Sequence, residues 1–268
     1  MKIVGDLFRL TPKRKMLEEH CADTQIRLEQ LISLLNMDGR AAFPIPPKHL
    51  QFRVAGVYND AFFLSGKSMV GDIEEMLNHC GRTVTDFESI LDFGCGCGRH
   101  LIPLGFLVDH AKITGTDIDE EAIHWFRANY PSFKSLVVNR IHPPTEFADG
   151  AFDFIYCVSV FTHLPEDMQN DWLAEISRIL RPGGLALLTT HGEKHYSKLT
   201  GPALDELLST GFHYSVGTVT AGLPEFYQTT YHTHAYIERE WDRYFEVVAI
   251  RALQIGKNQD AVLVRKRS

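Results

Sequence analysis

The chain has 268 residues, 44% of them hydrophobic, and its 34 acidic and 27 basic side chains give a formal net charge of −7. This length and apolar content suit one large domain with additions and argue against a disordered chain. The negative charge provides no basic field to concentrate DNA or RNA, so no nucleic acid is expected as a partner.

Three further features of the composition concern location. No apolar run reaches the length of a membrane span, and the first ten residues lack the apolar core of a signal peptide. The five cysteines show no paired spacing, which suits a reducing compartment better than a disulfide framework. A cytoplasmic protein without a membrane span is therefore expected.

Residues 1–40 are predicted to form an N-terminal helix. Apolar or small residues recur there at alternating intervals of four and three, at Leu17, Cys21, Thr24, Leu28, Leu31 and Leu35. Two interpretations stay open: an amphipathic helix on the surface of its own domain, or a short coiled coil in a homodimer or with another protein.

Residues 41–84 form the next predicted segment. Pro44, Pro46 and Pro47 make its beginning a stiff connector that cannot be helical throughout. Residues 50–71 contain both aromatic residues and glycines, and a helix is predicted over residues 72–80.

A buried-strand pattern then runs directly into three glycines, in the sequence ILDFGCGCGR of residues 90–99. Gly94, Gly96 and Gly98 allow a tight turn and a close approach of the backbone to a ligand. A dinucleotide-binding fingerprint would need glycine where the chain has Arg99, so an NAD-linked dehydrogenase is only a third choice.

Asp117 ends a short β-prone run 19 residues after Gly98. An acidic residue at this spacing accepts hydrogen bonds from the ribose hydroxyls of a nucleotide cofactor. The alternative is that Asp117 only caps the helix predicted over residues 119–129.

The rest of the chain continues the alternation of strands and helices. Strands are predicted over residues 135–138, from residue 152, over 184–190, 244–253 and 260–265, and helices over 167–180 and 202–209. Residues 212–240 are rich in Thr, Tyr, His and Gly and are interpreted as an insertion over the mouth of the cofactor site.

The G-x-G-x-G spacing, Asp117 and the phrase Leu-Arg-Pro-Gly-Gly at residues 180–184 together resemble the class I S-adenosylmethionine-dependent methyltransferases. The closing features of the chain, Tyr-His-x-His-x-Tyr at residues 231–236, Trp241, Tyr244-Phe245 and residues 259–263, are similar to those of bacterial methyltransferases of small molecules or glycans whose acceptor is unknown. The first of these resemblances covers residues 88–192. It implies an α/β, Rossmann-like, seven-stranded, mostly parallel sheet with an antiparallel last strand and an N-terminal helical extension. The methyltransferase domain would span residues 85–268, with residues 41–84 as a connector and lid that supplies part of the acceptor pocket.

The resemblance also implies the cofactor, S-adenosyl-L-methionine with S-adenosyl-L-homocysteine as product, and its contacts. The loop would wrap the methionyl end, Asp117 would bind the ribose, and Ile118 and Asn139 would contact adenine, with an amide at residue 139 in place of the usual acid. The backbone after the fourth strand would receive the cofactor's amino group. The full predicted set is Asp92, Gly94, Cys95, Gly96, Gly98, Asp117, Ile118, Asn139, Cys157, Val158 and Ser159.

Histidines are the candidates for catalysis. His191, just after the fifth predicted strand, and His232, in the insertion, are proposed as general bases, because histidine titrates near neutral pH. A metal site built from His191, His195, His232 and His234 lacks a Cys pair or carboxylate cluster, and no metal is predicted.

The sequence thus predicts an S-adenosylmethionine-dependent methyltransferase whose acceptor is a sugar or small-metabolite hydroxyl, with nitrogen acceptors second. The alternative from another class is a cofactor-binding partner subunit without catalysis, which would use the N-terminal seam as its interface.

Overall fold

The computed structural model describes residues 44–56, 62–217 and 222–268. The unit considered below runs from Pro46 to Ser268. The predicted helix of residues 1–40, with its leucine seam, lies outside the described residues. The predicted domain boundaries stay predictions.

Seven strands form one sheet in the order β3-β2-β1-β4-β5-β9-β8. Strands β1 to β5 pair in parallel, whereas β9 runs antiparallel to both of its neighbours, β5 and β8. The predicted fold class is therefore confirmed. The strands are β1 Ile90–Phe93, β2 Ile113–Asp117, β3 Ser135–Val138, β4 Phe152–Cys157, β5 Leu180–Thr190, β6 Phe212–Ser215, β7 Thr229–His232, β8 Glu246–Ile255 and β9 Gln259–Arg265.

The predicted helices within the described sheet domain occur within one or two residues of their expected bounds. The helix predicted over residues 72–80 is the exception, since it is only the second half of a longer helix whose first half contains Gly66, a weak helix former. The helices are α1 Lys48–Ala55, α2 Phe62–Asn78, α3 Leu101–Leu104, α4 Glu120–Asn129, α5 Glu166–Ile179, α6 Glu193–Tyr196, α7 Pro202–Thr210 and α8 His234–Glu240, with 3-10 turns at Val84–Asp86, His110–Lys112 and Trp241–Arg243.

The central strands are buried on both faces, which explains why their sequences are continuously apolar rather than alternating. On one face, helix α5 packs its buried residues against the sheet, and the ring of Trp172 meets Phe93 edge-on at 4.9 Å. Trp241, 1% exposed, joins the same cluster beside Phe161. The core thus holds Phe93, the last residue of β1, and with it the start of the following loop.

The insertion forms a separate two-stranded antiparallel sheet of β6 and β7. Its backbone is hydrogen-bonded to the loops that follow β4 and β5: Thr230 N donates to Thr162 O at 2.8 Å, and His232 N donates to His191 O at 3.0 Å. The insertion is therefore fixed at the carboxyl ends of the parallel strands. None of the helices within the described ranges is both long and apolar enough to span a membrane.

Helix α2 crosses closely over the end of the glycine loop at Gly66. A Cβ at Gly66 would overlap the carbonyl oxygen of Arg99, whereas a Cβ at Gly71, on the same helix, would meet nothing within 4 Å. We therefore expect Gly66→Ala to destabilise the fold by about 1–3 kcal/mol through overpacking.

The matched control, Gly71→Ala, should instead stabilise the fold by about 0.5–1 kcal/mol, because alanine is the better helix former. Urea unfolding of both variants measures the two effects. Equal shifts of the midpoint in the same direction would contradict the close crossing.

Candidate active site

A cleft of about 840 Å³, including its open mouth, lies at the carboxyl ends of β1, β2, β3 and β4. Ligands of open α/β sheets bind at this edge. Its lining comes from the glycine loop, the ends of the same four strands, helices α1 and α5 and the insertion: Arg53, Val54, Phe93, Gly94, Cys95, Gly96, Arg99, His100, Asp117, Ile118, Asp119, Asn139, Ile141, Val158, Ser159, Val160, Leu164, Trp172, Leu223, Phe226 and Tyr227.

The glycine loop is shaped by close packing as well as by its turn. The backbone N–H groups of Gly94 and Cys95 both donate to the carbonyl of Thr116, at 2.8 and 3.0 Å. Gly98 has φ +85, and a Cβ there would lie 2.5 Å from the ring of Phe126. Gly94 and Gly96 line the cleft, whereas Gly98 does not, so Gly98 serves the packing of α4 on the loop.

Asp117 ends β2 with a partly accessible carboxylate. One oxygen accepts a hydrogen bond from the backbone N–H of Gly96 at 2.7 Å, and the other accepts from the N–H of Asp119 at 2.8 Å. Burial raises the pKa of Asp117 to about 6, although these backbone hydrogen bonds act to lower it. The idea that Asp117 merely caps the next helix is wrong, because Asp119 is the N-cap of α4 and accepts from Ala122 N.

Asp92 lies beneath the loop, fully buried, and does not line the cleft. Burial raises its pKa to about 8, against the opposing effects of the Tyr156 hydroxyl and Arg99. The Tyr156 hydroxyl is near enough to act on this pKa, but neither oxygen of Asp92 meets a partner in regular hydrogen-bond geometry. Asp92 is therefore largely protonated at neutral pH.

The predicted adenine contacts lie together at one end of the cleft. Ile118 and Asn139 line it, joined by Ile141. The side-chain oxygen of Asn139 accepts from Thr116 Oγ1 at 3.0 Å, and its amide nitrogen donates to the carbonyl of Arg140. The side chain of Asn139 is thus held in place at the edge of the sheet.

At the other end, Val158 and Ser159 line the cleft, while Cys157 is fully buried within the strand end. Ser159 adopts φ 65, a left-handed conformation that is costly for serine. It is held there by three hydrogen bonds: its N–H donates to Thr189 Oγ1 at 2.8 Å, its Oγ accepts from Gln259 at 2.7 Å, and its carbonyl accepts from the Tyr227 hydroxyl at 2.9 Å. Such strain is typical of ligand sites.

Several lining residues were missed by the sequence analysis. In the sequence analysis, Arg99 was used only as evidence against a dinucleotide-binding loop, but Arg99 lines the cleft. Trp172 was interpreted as a core residue, and it belongs to both the core and the cleft. The aromatic composition around residue 226 was the available signal for Phe226 and Tyr227. Nothing in the sequence pointed to Arg53.

Helix α1 covers the loop from above. A Cβ at Gly96 would collide with Val54, and Arg53 Nη1 bonds to Asp119 Oδ2 at 3.0 Å and to Glu121 Oε2 at 2.8 Å. The segment is therefore tied to α4 directly beside the cleft. Its role as a lid stays a prediction.

Neither predicted catalytic histidine lines the cleft. His232 is fully buried, with Nε2 bonded to Gln169 Oε1 at 2.9 Å, and His191 packs against the ring of His195 at 4.1 Å. Burial lowers the pKa of each to about 3. Their role as general bases stays a prediction, and it lacks a contact with the cleft.

The four histidines that were considered for a metal site have other partners. His191 lies beside His195, with ring centroids 4.1 Å apart, and its backbone carbonyl accepts from His232 N at 3.0 Å. His234 pairs with Asp260 at 2.7 Å. Across the part of the chain that the structure describes, no group of three or more His, Cys, Asp or Glu side chains could hold a metal ion.

Residues 90–184 match the family described as Methyltransferase domain. They span β1 to the start of β5 and contain the glycine loop, Asp117 and Ser159. The fold, the position of the cleft and this match together support the predicted family, the class I S-adenosylmethionine-dependent methyltransferases. The predicted family and the family's cofactor, S-adenosylmethionine, are confirmed. The predicted bacterial origin stays a prediction.

Two curated relatives and one solved structure illustrate the likeness. The O-methyltransferase cnsE of Penicillium expansum is 29% identical over 102 residues, 36% of this chain and 35% of that protein. The tRNA N(3)-methylcytidine methyltransferase trm140 of Schizosaccharomyces pombe is 24% identical over 207 residues, 73% of this chain and 66% of that protein. The chain thus spans from about a third to about two thirds of the length of these curated relatives.

The solved structure is the PH0226 protein of Pyrococcus horikoshii OT3. It superposes with a TM-score of 0.53 at 18% identity, over 81% of this chain and 98% of that chain. This likeness shows the fold alone.

The buried histidines generate a prediction about pH and stability. Because burial lowers the pKa of His232 from 6.5 to about 3, the unfolded chain binds a proton there that the folded chain does not. This contribution to stability is complete above pH 6.5 and is lost as the pH falls. His232→Gln should therefore lose about 2 kcal/mol less stability than the wild type between pH 7.5 and pH 5.

Urea unfolding at several pH values measures this difference. The control is His124→Gln, since His124 has a side chain that is 58% exposed. It should follow the pH dependence of the wild type. If His232→Gln also follows it, His232 is not held neutral by burial.

Proposed function

We propose that this chain binds S-adenosylmethionine in the cleft and transfers its methyl group to a small-molecule acceptor, first of all to a hydroxyl. The observation that carries the proposal is the half-open carboxylate of Asp117, hydrogen-bonded to Gly96 of the glycine loop and followed by Ile118 in the same cleft. A partly accessible carboxylate beside a closely packed glycine loop, with lone pairs left after its two backbone hydrogen bonds, suits a ribose with two hydroxyl donors.

The lining of the cleft fits the proposed cofactor from end to end. Ile118 and Ile141 provide apolar surface for adenine, with the fixed amide of Asn139 beside them. Asp117 would accept the ribose hydroxyls through lone pairs that its two backbone donors leave free. Gly94 and Gly96 would let the backbone approach the methionyl end, and Val158 and Ser159 would border it.

The acceptor would enter beside the insertion. Trp172, Phe226 and Tyr227 add aromatic surface to the cleft, and Leu164 and Leu223 add aliphatic surface. An apolar, partly enclosed wall of this kind suits a small organic acceptor and excludes water from it. The O-methyltransferase of Penicillium expansum supports a hydroxyl acceptor. A sugar as acceptor stays a prediction.

The tRNA methyltransferase of Schizosaccharomyces pombe supports a second candidate, a nitrogen acceptor. The formal net charge of −7 argues against tRNA itself, because nucleic-acid binding depends on neutralising phosphates with basic side chains. A small molecule with a nitrogen acceptor would bind in the same cleft and would be aligned with the methyl group in the same way.

Positioning would supply most of the rate in this mechanism. When bound, S-adenosylmethionine supplies a methyl group on a positively charged sulfur. The chain's own residues would hold the acceptor in line with that methyl group and keep water away, and such alignment alone contributes several kcal/mol to catalysis. The carbonyl of Ser159, which accepts a hydrogen bond from the Tyr227 hydroxyl, would accept a second one from the cofactor's amino group.

Asp117 provides the direct test of the cofactor site. Asp117→Asn should weaken the binding of S-adenosylhomocysteine at least tenfold, since charge-assisted hydrogen bonds contribute roughly 1.5–3 kcal/mol each. Wild-type affinity should fall about fourfold from pH 7.5 to pH 5.5, because a carboxyl with a pKa of about 6 is then mostly protonated. The variant should lose this pH dependence.

Titration calorimetry measures both effects. Asp109→Asn removes an exposed aspartate that caps a turn away from the cleft, and it should bind as the wild type does. Unchanged affinity of Asp117→Asn, or tighter binding of NAD than of S-adenosylhomocysteine, would contradict the proposed site.

The turnover of histidine variants distinguishes catalysis by alignment alone from catalysis with a histidine as general base. Labelled S-adenosylmethionine is offered with small-molecule, glycan and total tRNA fractions, and the acceptor found is used to assay His191→Gln and His232→Gln. Because neither side chain reaches the cleft, we expect turnover to stay within about threefold, whereas loss of a general base would cost about 10²–10⁴-fold.

The same assay tests the acceptor class. Label in tRNA alone would overturn the small-molecule proposal. Cofactor binding without transfer to any fraction would favour the alternative of a non-catalytic partner subunit.

A further inference from the structure

Arg99 is a buried cation at the end of the glycine loop. It follows the glycine loop directly, lines the cleft and is 5% exposed. Its Nε is fully buried without a hydrogen bond, and among the described residues its guanidinium has no hydrogen-bond partner. Its backbone is held by the close crossing of α2, which packs Gly66 against the Arg99 carbonyl.

The nearby side chains do not offset this charge. Asp92 is the anionic group that most favours the charged form of Arg99, but burial raises the pKa of Asp92 to about 8, so it is mostly neutral near pH 7. A buried charge without a hydrogen-bonded partner is costly. The guanidinium of Arg99 is therefore available to bind an anionic group of a ligand in the cleft.

The other basic groups lining the described cleft differ from Arg99 in this respect. Arg53 is already paired with Asp119 and Glu121. His100 is held neutral, because burial and the charge of Arg99 lower its pKa well below the usual range, and its Nε2 lies 3.2 Å from Met69 Sδ.

Arg99 lies at the end of the cleft opposite to the proposed adenine contacts. Its charge acts on Asp92 of β1 and on Tyr227, whose hydroxyl bonds the carbonyl of Ser159 after β4. Ile118 and Asn139 follow β2 and β3, on the other side of β1 in the sheet. A cofactor with adenine at that side and its ribose at Asp117 would point its amino-acid end toward Arg99.

We propose that Arg99 binds the carboxylate at the amino-acid end of S-adenosylmethionine. This inference rests on the proposed function. The planar guanidinium has several donors and matches a carboxylate in a two-pronged pair, which a lysine cannot reproduce. The bound carboxylate also supplies the hydrogen-bonded partner that the Arg99 guanidinium lacks among the described residues.

The test compares two ligands that differ only in this carboxylate, S-adenosylmethionine and decarboxylated S-adenosylmethionine, by titration calorimetry at pH 7.5. Arg99→Met should weaken binding of the complete cofactor roughly 10- to 100-fold, the range expected for one or two charge-assisted hydrogen bonds. Its affinity for the decarboxylated ligand should stay within about twofold of the wild type. Arg99→Lys should lie between the two for the complete cofactor.

The control is Arg53→Met, which removes a cation of the same cleft that is already paired. It should change both affinities by the same factor. Thermal unfolding of each variant without ligand separates loss of folding from loss of binding, and Arg99→Lys keeps the charge if Arg99→Met fails to fold.

Two results would overturn the inference while leaving the proposed function intact. The first is a wild type that binds both ligands equally. The second is an Arg99→Met variant that binds S-adenosylmethionine as the wild type does, which would assign Arg99 to an acidic group of the acceptor instead. A selective loss with Arg53→Met would transfer the role to Arg53. Failure of the wild type to bind either ligand would overturn the proposed function as well.

Discussion

The packing of backbone against side chains around the glycine loop is the constraint on which the site depends. The loop is pressed from three sides: by Phe126 of α4 at Gly98, by Val54 of α1 at Gly96 and by Val160 at Gly94. A side chain at any of these positions would displace one of three elements that line or support the cleft. Asp117 then connects this loop to β2 through the N–H of Gly96. The cofactor end of the site is thus rigid because the loop has no space to move.

Local signals made this part of the molecule predictable from the sequence. The two features that mark the site are a strand followed by alternate glycines and an acidic residue at the end of the next strand. Each lies within a short segment whose backbone geometry is local, so its sequence alone indicates it. Strand β9 was predicted within one residue, because its continuous apolar run reports burial on both faces. Strand β3 was predicted with its observed bounds, although it is an edge strand in which only Leu136 is buried. The beginning of β5 was missed, since Leu180 pairs with Phe152 across an irregular register that no local pattern indicates.

The remaining features depend on contacts between distant segments, and the sequence did not reveal them. His232 was expected to face the cleft, but β7 pairs with β6 in a separate small sheet, and the alternation along β7 buries Thr230 and His232 beneath it. Arg53 reaches Asp119 across 66 residues of sequence. Trp172 belongs to the core and the cleft at once, a combination that periodicity interprets as core alone. Burial thus decided which polar residues can act.

The electrostatics of the cleft explain why it should be most stable when filled. Burial raises the pKa of Asp117 to about 6, and the buried Nε of Arg99 has no hydrogen-bond partner among the described residues, so both side chains carry a desolvation cost without a ligand. A ligand with hydroxyl donors at one end and a carboxylate at the other relieves both costs at once. Binding of such a ligand should therefore stabilise the folded protein. The increase in the free energy of unfolding grows with the ratio of the ligand concentration to Kd. Asp117 and Arg99 are thus unfavourably buried at the two positions where a bound ligand would supply their hydrogen-bond partners.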